Sequence, residues 1–332
     1  MAIVSLAGCA TARNVTAAQK LDRAVQKLGE EHSLSFELTL DADTSTLKSL
    51  DADAALGQQM PDQVAEFLAD ARISVSVQSR KPLKESADQD LIGMAMKIGS
   101  SADGDAIEYR LVGDYLYLRA DPQTLEQMTG GNVPSADEVP ESATALRHIL
   151  AGDWVKIAAS GIEQNALTSA ARSAPTTAPA GTQRDQVMKA LRDVIARQAE
   201  FRDTGKKDGV DHITATAPLR TLLTELIDEI RPLAGTMAPG TGLPTDKELR
   251  SVPNQKITAD FSLKDGALTE VSVNLAKLAK NAHDAKLALV LRVGTGEQIT
   301  KPAGATQVDP GALMQELIGG LEAQAVPGSD PL

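Results

Sequence analysis

From Ser33 to Ala42 apolar and polar positions alternate one for one, with Leu34, Phe36, Leu38 and Leu40 set against Ser33, Ser35, Glu37, Thr39 and Asp41. A period of two is the signature of a strand with one buried face. The habit recurs at Ile73–Ser79 through Ile73, Val75 and Val77, and at Leu91–Ser100 through Ile92, Met94, Met96 and Ile98. Ala106–Ala120 (AIEYRLVGDYLYLRA) then reads as a hairpin turning at Gly113-Asp114, where glycine supplies the positive φ of a tight turn. A second meander follows late in the chain. Gly209–Ala217 is one strand, and Lys256–Leu275 (KITADFSLKDGALTEVSVNL) is a hairpin about Asp265-Gly266. Ala285–Val293 is another strand, and Glu297–Pro302 is expected to extend the sheet.

Between these strands the period lengthens. Thr16–Glu30 carries Leu21, Ala24, Val25 and Leu28 at helical spacing, with Thr16 in N-cap position. Asp62–Ala71 follows Pro61 as a helix, residues 44–72 being otherwise Ala- and Asp-rich. Pro122–Met128, Ser142–Leu150, Ile162–Ala171, Gln183–Phe201, Leu219–Leu233 and Asp309–Leu321 are the remaining helical stretches. Strands fall in blocks rather than alternating with helices, which points to α+β: a curved antiparallel sheet, or half-barrel, with helices packed on one face. Residues 16–322 are read as one domain. Ser173–Thr182 (SAPTTAPAGT) and Gly235–Pro244 are expected to be flexible loops, and residues 323–332 a frayed terminus.

Composition narrows the function more than the fold. Aromatics make up 2% of the 332 residues, so the core must be built from Ala, Leu, Val and Ile, with methionine filling gaps. The formal net charge of −12 argues against a nucleic-acid partner, whose footprint is a basic patch. It equally disfavours attraction to anionic headgroups. One cysteine allows neither an intrachain disulfide nor a Cys-rich zinc site.

That cysteine closes Leu6-Ala7-Gly8-Cys9, which reads as a bacterial lipobox: a signal is cut before Cys9 and the thiol is acylated. Only eight residues precede it and none is Lys or Arg, so the expectation is a truncated signal (residues 1–9) whose start codon lies upstream. Residues 10–15 would be a short tether. The competing reading is a small buried thiol. Acylation places the domain on the extracytoplasmic face of a bacterial cell membrane, with the membrane itself as a partner. One acyl chain anchors only marginally, so stable tethering needs several.

An exported lipoprotein with an N-terminal helix, the VGDYLYLRA hairpin and the KDGALTEVSVNL hairpin resembles the LolA/LppX-type group, including the LppX/LprG-type envelope lipoproteins. The segments carrying the resemblance are Ile107–Ala120, Lys256–Leu275 and Leu287–Pro302, the last a strand, a short turn and a proline-marked exit. The resemblance implies a half-barrel sheet partly closed by helices around an apolar cavity.

Catalytic chemistry is not visible in the spacing. There is no G-x-S-x-G elbow. His32, His148, His212 and His283 stand far apart, and none has the context of a zinc helix. The acidic runs Asp41, Asp43, Asp51, Asp53 and Asp103, Asp105 lack a calcium-loop frame. No catalytic residue, metal site or cofactor is therefore assigned. The ligand-lining candidates are Leu34, Phe36, Leu38, Leu40, Ile92, Met94 and Met96, with filled core as the plainer alternative for each. The leading expectation is a non-catalytic lipoprotein that binds or carries a lipid or other hydrophobic molecule. The alternative is a structural adaptor presenting its acidic surface to an envelope protein.

Overall fold

A computed structural model describes residues 7–50, 59–129, 131, 133–158, 181–234, 243–278, 285–313 and 315–316. The expected helix Ile162–Ala171, most of the two expected loops and residues 317–332 lie outside them, as do Leu6 and His283.

In chain order the elements begin with α1 (Ala7–Glu30), β1 (Ser33–Ala42), α2 (Thr44–Leu50), α3 (Asp62–Ala69), β2 (Ala71–Ser79) and β3 (Leu91–Ser100). They continue with β4 (Gly104–Val112), β5 (Tyr115–Ala120), α4 (Pro122–Thr129), α5 (Thr144–Leu150), β6 (Val155–Ala158) and α6 (Gly181–Gln198). The last are β7 (Glu200–Lys207), β8 (Val210–Pro218), α7 (Leu219–Ala234), α8 (Asp246–Ser251), β9 (Lys256–Lys264), β10 (Ala267–Asn274), β11 (Leu287–Thr295) and β12 (Thr306–Gln307).

All twelve strands join one open sheet in the order β12-β6-β5-β4-β3-β2-β1-β11-β10-β9-β8-β7. Every pairing is antiparallel except β12 with β6. The α+β architecture read from the sequence is what forms. β1 runs through the centre, flanked by β2 and β11, so the early and late meanders meet along the first strand of the chain.

Register fixes what each face carries, because a residue faces the same way as its cross-strand partner. Leu38 opposes Ile73 and Leu291, Phe36 opposes Val75 and Val293, and Val75 opposes Met96. Met96 opposes Tyr109, Tyr109 opposes Leu118, and Val271 opposes both Leu291 and Phe261. One apolar face therefore runs from β6 to β8.

Helices cover its flanks and one end. Over β7–β10, α1 sets Ala17 and Ala24 against Phe201, Ile213, Ala215, Leu263 and Leu268, with Ile195 of α6 beside them. Lys20 of α1 reaches Asp203 of β7 at 2.6 Å, and that ammonium, with the Gly205 N–H, holds the Asp203 carboxyl below its ordinary value of 3.8. Over β5 and β6, Ala145 and Ile149 of α5 meet Ala120, Val155, Ile157 and Leu313. At the Ala42 end, Leu47 of α2 and Ala65 of α3 pack on Ala42, Ala276 and Leu287.

The opposite face is polar and carries a strap instead. After β11 the chain crosses β2–β5 to reach β6. Ile299 donates its N–H to Gln78, Glu297 pairs with Lys97 at 2.7 Å, and Arg110 donates to the Thr300 carbonyl. Ile299 lies buried with Ala95, Val112 and Tyr117. It fits because Gly93 has no side chain: a Cβ there would stand 2.9 Å from the Ile299 methyl.

Three expectations change. The first helix begins at Ala7, not Thr16, so the backbone of residues 10–15 is helical; alanines at 7, 10 and 12 favour this. The helix expected to reach Phe201 stops at Gln198, and Phe201 enters strand β7 and the core. Residues 297–302 form the strap, not a strand. The expected closing helix Asp309–Leu321 is helical at 310–313 and 315–316, and its residues 317–321 lie outside the described ones. As the open edge, β7 carries exposed Arg202, Asp203, Lys206 and Lys207 and a bulge between Asp203 and Gly205, both of which deter pairing with another chain.

Candidate functional site

The middle of the apolar face is where burial gives out. Ile73 is 40% exposed, Met94 43% and Leu289 36%. These are large apolar side chains on strands β2, β3 and β11, and the positions joining them (Phe36, Leu38, Val75, Met96 and Leu291) are only half-buried. Scattered exposed leucines are normal on protein surfaces, whereas a contiguous apolar patch marks a binding surface.

Six of the seven lining candidates share this face by strict alternation: Leu34, Phe36, Leu38 and Leu40 on β1, and Met94 and Met96 on β3. Ile92 has the same parity on β3, just beyond the irregular pairing near Leu91. Leu34 is buried at the Thr295 end, and Met94 is the most open of the seven. Ile73, Leu289 and Leu291 belong to the same surface but were missed as lining, although Ile73 stood in a recognised alternating strand. Only register, which the sequence does not state, sets them beside Leu38 and Leu40. Tyr109 adds one hydroxyl to this face, and burial pushes its phenol above the ordinary value of 10.

A distinct cavity of about 800 Å³ opens at the Ala42 end, between α3, α4 and the β3–β4 turn. None of the seven candidates lines it. Its described walls carry the carboxylates Glu66, Asp70, Asp103 and Glu126, the amides Gln63, Gln123 and Gln127, and Thr44 and Phe67. No Lys or Arg is among these described residues. The β3–β4 turn is tied to both α3 and α4. Ser101 N–H donates to the Asp70 carbonyl; the Thr124 N–H donates to the Asp121 carboxylate, and its hydroxyl donates to the Asp103 carbonyl. Asp103 is fixed by Ser100 at 2.9 Å, with the Gln127 amide beside it.

Among the described residues no group of three or more His, Cys, Asp or Glu is placed to hold a metal ion. His148 pairs with Asp153 at 2.9 Å, and His32 is exposed. No described helix is long and apolar enough to cross a membrane. Cys9 lies in the first turn of α1.

No family model matches this chain. No curated protein matches it either. Among solved structures it is similar to LprF from Mycobacterium bovis, at 11% identity and a TM-score of 0.36, covering 88% of this chain and 98% of that one. It is also similar to the Mycobacterium tuberculosis lipoprotein LppX, at 10% identity and a TM-score of 0.34, covering 86% of this chain and 98% of that one.

Proposed function

We propose that the protein is an envelope lipoprotein, anchored through acylated Cys9 on the extracytoplasmic face of a bacterial membrane, which binds or carries a lipid or other hydrophobic molecule without chemical catalysis. The observation that supports this reading is the middle of the apolar face, where Ile73, Met94 and Leu289 stay exposed while the described helices bury its flanks. Each methylene moved from water onto such a surface gains roughly 0.8 kcal/mol, so an acyl chain laid along it binds by area alone. Methionines at 94 and 96 suit a surface that must adapt to a chain of variable shape.

Purification of the natively expressed chain without detergent, followed by mass spectrometry of an organic extract, should yield a stoichiometric hydrophobic molecule, and Met94→Lys should strip it. A clean extract together with failure to take up a pyrene-labelled fatty alcohol would reject the carrier reading. Co-purification of an envelope protein in that case would favour the adaptor.

The anchor has its own test. Cys9→Ala should move the protein from the membrane fraction to the soluble fraction after cell lysis. Continued retention would refute acylation at Cys9 while leaving the apolar face to be judged separately.

A further inference from the structure

The chain holds one Trp, three Tyr and four Phe, yet the Trp and two of the Tyr stand together on the polar, outer face of β4–β6. We propose that this aromatic and basic cluster is a docking surface for an acidic segment of a protein partner, on the side of the sheet opposite the apolar face. Such docking does not depend on the carrier reading.

Register gathers the cluster. Arg110 opposes Tyr117, Tyr117 opposes Lys156, and Glu108 opposes Arg119, so all five share the outer face with Tyr115. Trp154 directly precedes β6, and the guanidiniums of Arg110 and Arg119 lie 4.9 and 5.2 Å from its ring centre. The Lys156 ammonium lies 5.5 Å from the Tyr115 ring, which is tilted against Tyr117 at 6.3 Å. The strap borders the group. Arg110 donates to the Thr300 carbonyl, Ala305 packs with Tyr115 and Trp154, and the Thr306 N–H donates to the Trp154 carbonyl. Exposed Lys301, next to Thr300, thereby joins the rim.

Internal structure uses only part of this group. Tyr117 is buried with Ile299 of the strap, and Arg110 spends its donors on Glu108 and Thr300. Trp154 and Tyr115 remain half-buried, and Arg119 gives Glu108 one hydrogen bond while keeping 43% of its side-chain surface in water. Among the described residues neither Lys156 nor Lys301 forms an ion pair. Of the neighbouring carboxylates, Glu108 is held by the two arginines, Asp153 by His148 and Glu297 by Lys97. Arg119, Lys156 and Lys301 thus stand open against Asp114 in the β4–β5 turn, a local surplus of positive charge in a chain of formal net charge −12.

Trp, Tyr and Arg dominate binding energy at protein interfaces, because each offers a large contact area with a polar edge. The arginine fork also matches a carboxylate in shape. A segment with acidic and apolar residues interleaved therefore fits: its acids pair with Arg119, Lys156 and Lys301, and its apolar side chains lie against Trp154 and Tyr115. An anionic membrane is the poorer match. Charges are felt over about 8 Å at 0.15 M ionic strength, so a short segment reads the local cations, whereas a bilayer plane also meets the acidic body.

Trp154, the sole Trp, reports on this surface through its own emission. The full chain is titrated with a Glu-Leu-Ser repeat peptide, the matching Gln-Leu-Ser peptide, and phosphatidylcholine vesicles with and without phosphatidylglycerol. The Glu peptide should shift the Trp154 emission and bind about tenfold tighter than the Gln peptide, and raising the ionic strength from about 0.01 M to 0.15 M should erase most of that margin. Lys156→Gln/Lys301→Gln, which leaves the Glu108 pairs in place, should lower affinity for the Glu peptide about tenfold at an unchanged urea midpoint. Lys207→Gln/Lys264→Gln, at the ends of β7 and β9, should leave that affinity unchanged. Equal affinity for the two peptides, or equal losses in the two double variants, would overturn the docking surface. Tighter binding to the phosphatidylglycerol vesicles than to the Glu peptide would overturn it in favour of a membrane contact.

Discussion

Ile213→Ala should destabilise the protein by about 3–4 kcal/mol, seen as a lower urea midpoint at unchanged slope. Ile213 is fully buried on β8, between Asp203 of β7 and Phe261 of β9. Its side chain meets the small residues Ala17 and Ala24 of α1, with Leu21 and Val25 around them. The size of the effect follows from how little the site can collapse. The flanking strands hold its backbone through two hydrogen-bonded ladders, and the helix above already presents alanines that cannot swing inward. The vacated volume therefore stays empty, and the cavity cost adds to the lost transfer energy. Leu289→Ala is the control on the same sheet: at 36% exposure it should cost under about 1.5 kcal/mol. A cost for Ile213→Ala below that of Leu289→Ala would mean that α1 does not seal β7–β10.

The contrast between these two positions separates what the sequence discloses from what it hides. Alternation in β1 and β3 and the turns at Gly113-Asp114 and Asp265-Gly266 were legible because period two and positive φ are local properties; φ is 58° at Gly113, 51° at Asp265 and 73° at Gly266. β7 was not, since EFRDTGKK has one apolar anchor, Phe201, and otherwise forms because β8 offers a partner edge. α8 carried a readable signal that was overlooked: Thr245-Asp246-Lys247-Glu248 is a capping box, and both of its hydrogen bonds form. The apolar half of the candidate site was thus half legible, face by face, while its openness depends on where helices stop. The polar cavity was not legible at all. Glu66, Asp103 and Glu126 stand up to sixty residues apart on two helices and a turn, and only the packing of α3 against α4 brings them together.

The polar face makes its own strong demand, at Glu108. Glu108→Ala should cost about 3 kcal/mol in the same urea experiment. The carboxylate is only 3% exposed and accepts from Arg110 at 2.7 and 2.8 Å and from Arg119 at 3.2 Å. Both guanidiniums in turn stack against Trp154, 4.9 and 5.2 Å from its ring centre, and Arg110 also ties down the strap at Thr300. Removing the carboxylate leaves two cations against one indole with no anion between them. The cost stays at the low end for a broken buried pair because Arg119 keeps 43% of its side-chain surface in water. Glu108→Gln, which retains an acceptor, should lose about half as much. Adding Arg119→Met to Glu108→Ala should recover part of the loss, since the uncompensated charge goes with it. A loss below about 1 kcal/mol for Glu108→Ala would mark the network as an ordinary solvated pair. The outer side of β4 and β5 carries this network and the inner side carries Tyr109, Leu111 and Leu118. Partial unfolding of the variant should therefore lower the amount of binding-competent protein, while the surviving folded fraction keeps its affinity for the pyrene-labelled fatty alcohol.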